Sequence, residues 1–417
     1  MQKKNLFFVS IFVLAVFFIG IFIGIVINSK QPSFYRVIKD KIYYGYLNKE
    51  RVYHHSWMEI KEESTNKLTE FYRLDEFDNL FSKSANASYN FIKNNSKSFR
   101  EMLFKDFILD PNIVEIKPVT NFEGKENFLF RELIKNKDIN LDKDEIYLVK
   151  YYDIKSFGVL HKSKNSQKLL IYNQGHSGNS YDFDYFHKIK NFFLKKDYDV
   201  LNLNMPIRGL NWLTNANMTF PVNSEYNKYP NFDILFSHPT SRRHEIFSNF
   251  YDSKYKNKKP FSVFISGNYY LIKKAIDLNQ YSEINVIGHS GGAVMSLYYM
   301  NLIPEINKMY YSSGALPKIY SFDNNGDWET YNTSYFSKYN YFDLFFGSLI
   351  DQKENSNREV IVQFQINDPV CCSGPPVVSF SEKMVKFSEK NKLKFKSIIR
   401  DSSDHKINFS SVIENFN

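Results

Sequence analysis

The stretch Ile284-Asn-Val-Ile-Gly-His-Ser-Gly-Gly-Ala-Val-Met-Ser-Leu-Tyr-Tyr-Met-Asn-Leu302 limits the folds open to this chain more than any other. β-Favouring residues run into Gly288-His289-Ser290-Gly291-Gly292, and an apolar segment with helical periodicity follows at once. The pattern predicts a strand that reverses sharply into a helix. Such a reversal brings backbone segments too close for a Cβ two residues on either side of its apex, and Gly288 and Gly292 occupy those positions. Ser290 at the apex is then held in a strained conformation, with its hydroxyl raised above the end of a sheet. The N–H of Gly291 falls at the helix start, where unpaired amides and the helix dipole favour a developing negative charge.

At 417 residues the chain can bury a large core, and it suits one large α/β domain plus further segments. Phe and Tyr are abundant, at 40 and 30 residues, alongside much Lys, Asn and Ile. That skew is what an A+T-rich coding sequence produces, so the aromatics do not argue for a carbohydrate or base-stacking surface. The net charge of +9 comes mostly from scattered Lys. No basic helix or Arg cluster argues for nucleic acid, so no such partner is expected.

Leu6 to Ile27 is an uncharged apolar run, long enough to cross a hydrocarbon core of about 30 Å. It follows Lys3-Lys4, but it is long for the apolar part of a cleaved signal and has no A-x-A-like site after it. The expectation is an N-terminal transmembrane signal anchor over residues 1–28, with the lipid bilayer as partner. Gly20 and Gly24 match a small-xxx-small pattern, which is commonplace in membrane helices. Lys3 and Lys4 face Lys30, Arg36, Lys39 and Lys41 across the run, so the positive-inside rule does not decide orientation. A tail this short more often stays in the cytoplasm, which puts the body on the periplasmic or extracellular side.

Residues 29–144 are polar and mostly helix-compatible, and are expected to form a membrane-proximal helical region that packs on the body or acts as a spacer. His54-His55 has no ligand cluster around it and is not a metal pair. From Glu145 the texture changes to short strands: Ile146 to Tyr152, Ser156 to His161, and Lys168 to Tyr172. The third runs into Asn173-Gln174-Gly175-His176-Ser177-Gly178, a turn of small and polar residues. A strand from Asp199 to Leu203 then leads to Arg208-Gly209-Leu210-Asn211, and a helix is expected from Phe264 to Leu278 before the Ser290 turn. Further strands are expected at Lys308 to Ser312, Arg358 to Gln365 and Leu393 to Arg400. Asp368 follows the second of these three, and His405, the only histidine after it, follows the third.

The G-x-S-x-G turn between strand and helix, with Ser290, Asp368 and His405 in that chain order, resembles the α/β-hydrolase superfamily. The resemblance covers residues 145–417. It implies a mostly parallel central sheet with helices on both faces and inserted lid segments. It also implies a nucleophile at Ser290, a base at His405 and an acid at Asp368, with Asp323 and Asp327 as rival acids from an earlier strand. The oxyanion donors by resemblance are the backbone N–H groups of Gly291 and His176. The family often has His-Gly at the latter point, and here Gln174 precedes the glycine, which leaves that donor open by one position. Arg208 matches the loop after the fourth strand and is expected to brace it, although Asn211 stands where a second Gly is common.

Two inserts, about residues 211–259 and 314–353, would border the site. The first carries His238 and His244, either a substrate contact or a locally bonded residue. The second is a lid or a packed helical excursion. Asp401 and Asp404 could instead cap the final helix. Cys371 and Cys372 are the only cysteines. Neighbouring Cα atoms, about 3.8 Å apart, are closer than a disulfide prefers, so free thiols are the simpler reading. No metal spacing occurs, and neither metal nor cofactor is expected. The reaction implied is cleavage of a carboxylic ester through an acyl-enzyme. Acyl transfer on the same residues, and a binding protein on an inactive hydrolase fold, are the alternatives.

Overall fold

The computed structural model describes residues 75–122, 128–151, 154–175, 179–205, 209–211, 262–320, 339, 341–350, 358–370 and 372–417. All belong to the compact unit His54–Asn417, which is distinct from Met1–Tyr53. The expected membrane segment Leu6 to Ile27 lies outside the described residues, as do His54, His55, His176, Arg208, His238, His244, Asp323, Asp327 and Cys371. Most of both inserts lies outside them too. Among the described residues no helix is long and apolar enough to cross a membrane.

Among the described residues nine strands form one sheet: β1 Val114–Pro118, β2 Glu145–Tyr151, β3 Ile154–His161, β4 Lys168–Gln174, β5 Tyr198–Asn204, β6 Glu283–His289, β7 Lys308–Ser312, β8 Glu359–Gln365 and β9 Lys394–Arg400. Their order is β1-β2-β3-β5-β4-β6-β7-β8-β9. The first three run antiparallel to their neighbours, and β5 through β9 are parallel. Parallel neighbours need crossovers, and helices supply them: α3 Asp184–Leu194, α4 Ser262–Leu278, α5 Gly291–Leu302, α6 Tyr341–Leu349 and α7 Pro375–Lys390, with α8 Phe409–Phe416 closing the chain. Upstream lie α1 Asp75–Phe107 and α2 Phe128–Lys135.

Because helices cover both faces, the central strands are apolar on both. Leu169, Ile171, Val286, Met309, Tyr311, Val360 and Val362 face a core shared with α1 and α4 to α7. Their sequence neighbours Leu170, Tyr172, Ile287, Tyr310 and Ile361 face the core under α2, α3 and α8. The chain passes from β4 outward to β5 and then returns to β6 on the other side, so β4 is flanked by both. A crevice at the carboxyl ends of the strands, where the order reverses, is where open α/β sheets place their ligands.

The sheet does not begin at Glu145, where the change of texture sets the expected domain boundary. β1 pairs along its length with β2, from Val114 opposite Tyr151 to Pro118 opposite Tyr147. α1 buries Phe77, Phe81, Ala85, Ile92, Phe99, Leu103 and Phe107, a helical stripe, in the same core. Each such Phe contributes about 1.5–3 kcal/mol of burial. The partner of the stripe is α6, from the second insert, which is buried on all sides; Phe81 meets Phe342 and Tyr89 meets Phe346 edge to face. Polar contacts fix the register, with Arg100 Nε donating to Asn301 O at 2.9 Å and Leu109 N to Ser266 Oγ at 2.9 Å. α1 bends at Asn95 (φ −135°, ψ 22°), whose amide donates to Phe91 O at 2.9 Å. Of the two roles expected for residues 29–144, packing on the body is the one that the described part, from Asp75, takes.

Candidate active site

β6 ends at His289 and α5 begins at Gly291, leaving Ser290 alone between them at φ 56°, ψ −130°. A positive φ at a residue with a Cβ costs roughly 1–3 kcal/mol and persists only where the surroundings enforce it. Here they do: Ser290 N donates to Ser312 O on β7 at 2.8 Å, and Ser290 O accepts from Ala293 N at 2.9 Å. The flanking glycines are required by contact. A Cβ on Gly288 would lie 2.5 Å from Ala293 Cα, and one on Gly292 would lie 2.2 Å from Asn173 O. The Ser290 side chain makes no capping bond to the helix it starts, and the residue is 8% exposed.

The register Asn173↔Gly288 sets the end of β4 beside the end of β6. Gly175 is thereby pressed against the turn, where a Cβ would fall 2.7 Å from Ser290 Cβ and 2.8 Å from Gly291 N. The loop that continues through His176 thus starts next to the Gly291 amide; His176 itself lies outside the described residues.

Asp368 and His405 come from the carboxyl ends of β8 and β9. His405 Nδ1 and Asp368 Oδ2 are 2.7 Å apart, and Asp368 Oδ1 accepts from Val370 N at 2.8 Å. The carboxylate is fully buried and the imidazole 10% exposed. The two loops are laced together, since Ile366 N donates to Arg400 O at 2.9 Å and Asn367 N to Ser402 O at 3.2 Å. Nε2 of His405 is buried and has no hydrogen-bond partner among the described residues. Asp404 accepts from Ser402 Oγ and Asp401 from Asn367 Nδ2, so neither caps α8. Asn408 does, accepting from Ser411 N at 2.9 Å.

Several residues that hold this arrangement carry no motif. Gln363 and Gln365, two apart on β8 and so on one face, both donate to Lys406 O, next to His405. Gln363 Oε1 accepts from Asn408 N at 2.8 Å, which fixes the far side of the same loop. The only sign of them in the sequence is two amides within an otherwise apolar run. Asn211, which the sequence offers merely as a departure from a Gly pattern, is fully buried. It accepts from Phe157 N at 2.7 Å and donates to Asn204 O and Met205 O, tying the end of β5 to β3.

A second Asp–His pair lies elsewhere on the α3 face. His161 Nδ1 is 2.9 Å from Asp144 Oδ2, and its Nε2 is 2.8 Å from Tyr181 Oη. A cleft of about 810 Å³ runs beside the His405 loop, between Asp184, Tyr185 and Lys188 on α3 and Arg400, Asp404 and Lys406. Neither Ser290 nor His405 lines it, so it is not the space into which the serine opens. Cys372 is a free, half-buried thiol. Among the described residues no group of three or more His, Cys, Asp or Glu could hold a metal ion.

No family model matches the chain, and no curated protein does. Similar solved structures include acetyl xylan esterase 1 from Thermoanaerobacterium sp., at 16% identity over 77% of this chain and 92% of that one, with a TM-score of 0.43. A methylesterase matches at 10% identity over 85% of this chain and 68% of its own, with a TM-score of 0.47. Pyrococcus horikoshii acylaminoacyl peptidase matches at 11% over 63% and 38%, with a TM-score of 0.39. At these scores and identities the likenesses carry no argument about chemistry.

Proposed function

On this α/β-hydrolase-like fold we propose a serine hydrolase that cleaves a carboxylic ester, with Ser290 as nucleophile, His405 as base and Asp368 as the acid that orients it. The observation that carries this reading is the Asp368–His405 hydrogen bond, which leaves Nε2 of the imidazole without a hydrogen-bond partner among the described residues, in a fold whose β6 leads into a strained serine. A carboxylate on Nδ1 fixes the tautomer in which Nε2 bears the lone pair, and that nitrogen can take the Ser290 proton as the oxygen attacks the ester carbonyl. The negative charge that forms on the carbonyl oxygen is held by the N–H of Gly291 and by that of His176 in the loop after Gly175. Two such donors lower the barrier by a few kcal/mol. The imidazolium then gives its proton to the leaving alcohol, and water repeats the sequence to free the acid.

The apolar run Leu6 to Ile27 supports a single membrane anchor, with the catalytic body on the periplasmic or extracellular side. Protease treatment of intact cells tests that orientation, and a body that stays protected would reverse it.

The chemistry is tested with a fluorophosphonate probe on the purified protein beside Ser290→Ala and His405→Ala. Strong labelling of the unaltered protein alone is expected. A folded protein that does not label removes the hydrolase reading and favours a binding protein on the same fold.

A further inference from the structure

His289, the last residue of β6 before the nucleophile, is fully buried, and its ring nitrogens make no hydrogen bond of good geometry among the described residues, with only the backbones of His405 and Ser312 close enough to act on it. An ordinary core position would be filled by an apolar side chain, since a buried polar group without well-formed hydrogen bonds costs free energy. The ring is not placed at random. Its centroid is 4.8 Å from that of His405, the planes inclined by 43°, and it also meets Tyr185 edge to face at 5.5 Å. Tyr185 is held in turn by Phe183, stacked on it at 5.2 Å, and lies near Gln174, whose amide reaches its hydroxyl at 3.5 Å. A chain of ring contacts therefore runs from His405 through His289 and Tyr185 to Phe183, tied to α3 and to the end of β4.

We propose that His289 is a positioning residue for the reaction: its flat ring, in contact with both Tyr185 and His405, sets the plane of the His405 imidazole and so the direction of Nε2. The inference rests on the serine-hydrolase reading above. The hydrogen bond to Asp368 fixes one atom of the His405 ring but leaves rotation about that contact, and a rigid flat neighbour removes it. Among the described residues the titratable groups in contact with the His289 ring are His405, from the loop before α8, and Tyr185, from α3, and Asp368 is hydrogen-bonded to His405.

Charge follows the same geometry. Burial, reinforced by the charge of a protonated His405, holds His289 well below the ordinary histidine value, while the backbones of His405 and Ser312 oppose this more weakly. Two imidazoles this close do not both accept a proton, so the proton taken from Ser290 stays on His405, facing a neutral aromatic ring.

The test compares the full chain with His289→Ala, His289→Phe and His405→Ala. Active sites are counted with the fluorophosphonate, and kcat, KM and the pH profile are measured on p-nitrophenyl acetate. His289→Ala is expected to lower kcat per counted site by about 100-fold with KM changed less than about threefold, the signature of a misdirected group and not of lost binding. Its acid limb should move to higher pH, because water admitted to the vacated space solvates the imidazolium. His289→Phe, which keeps a flat ring, should recover at least about tenfold of the loss. The proposal is overturned if His289→Ala matches the unaltered protein per counted site, if its loss is only in the number of sites, or if the Phe and Ala variants are equally impaired. Should the unaltered protein not label, or His405→Ala turn over the ester as fast, the hydrolase reading itself has failed; with those controls in order, only the positioning role is at stake.

Discussion

Among the described residues two largely buried Asp–His pairs are close in kind, and they differ in one atom. In both, Nδ1 of the imidazole faces a carboxylate, at 2.9 Å for His161 with Asp144 and 2.7 Å for His405 with Asp368. In the first, Nε2 is taken up by the Tyr181 hydroxyl at 2.8 Å; in the second it has no hydrogen-bond partner among the described residues. A pair whose outer nitrogen is satisfied is a strut, tying β3 to the segment ahead of β2 and to the turn before α3. One whose outer nitrogen is free can take a proton. An Asp–His contact is thus no sign of catalysis until the fate of the other nitrogen is known.

The largest separation between the two pairs is expected in activity. His405→Ala, like Ser290→Ala, should lower kcat on a probe ester by up to about 10⁶-fold while leaving the folded structure intact by circular dichroism. His161→Phe should leave kcat per folded molecule within about threefold, since it touches nothing at the Ser290 turn. Equal losses in the two variants would dissolve the distinction. Asp368→Asn should follow with a loss of about 10⁴-fold, because the amide favours the wrong tautomer of His405. Asp144→Asn, the matching change in the other pair, should barely affect turnover, and a loss of similar size there would show that the strut is part of the machinery.

In stability the order reverses. His161→Phe takes the imidazole partner from the Tyr181 hydroxyl and leaves Asp144 Oδ2 with Asn140 N as its donor at 2.8 Å, and should cost about 1–3 kcal/mol, read from urea unfolding. The smallest effect is in pH dependence. Burial, outweighing the pull of Asp144, holds His161 below its ordinary value of 6.5. Asp144 is itself affected first by burial, which opposes ionisation, but the hydrogen bond and charge of His161 prevail and its carboxyl ends below its ordinary value. Both groups are therefore lowered in the folded state, so the unfolded chain binds more protons in acid. Their contribution is complete above the unfolded histidine value and is lost as pH falls through it, then further as the carboxylate range is reached. The unfolding midpoint should fall on acidification below about pH 6.5, and the slope in that first window should flatten in His161→Phe. An unchanged slope would mean that other groups set the acid limit.

Much of the sheet was legible because its signals are local. The run Lys308 to Ser312 is β7 to the residue, and the strands ending at His161, Gln365 and Arg400 end where the polar breaks stand. The Ser290 turn was legible for a stronger reason: Gly288 and Gly292 are demanded by contacts under 3 Å, and such a demand leaves few residue choices. α1 and β1 were not assigned to the body, because the stripe from Phe77 to Phe107 states that a partner exists without saying which. The partner, α6, is more than 200 residues away, as the Asp106–Tyr339 hydrogen bond nearby illustrates with its separation of 233. Gln363, Gln365 and Asn211 went unread for the same reason, since an amide inside a strand gains its meaning only from the loop it reaches.

By itself, then, the sequence determined where the chain must turn and which residue types can stand there: a serine between glycines after an apolar strand, an acid after β8, a histidine after β9. Steric exclusion and strand periodicity act between near neighbours, so they are written in order along the chain. Which histidine keeps a free nitrogen, which ring backs His405 and which helix covers the core were decided only by the tertiary structure. Those outcomes depend on burial and on partners brought together by the crossovers, and a residue's solvation is a property of the packed molecule.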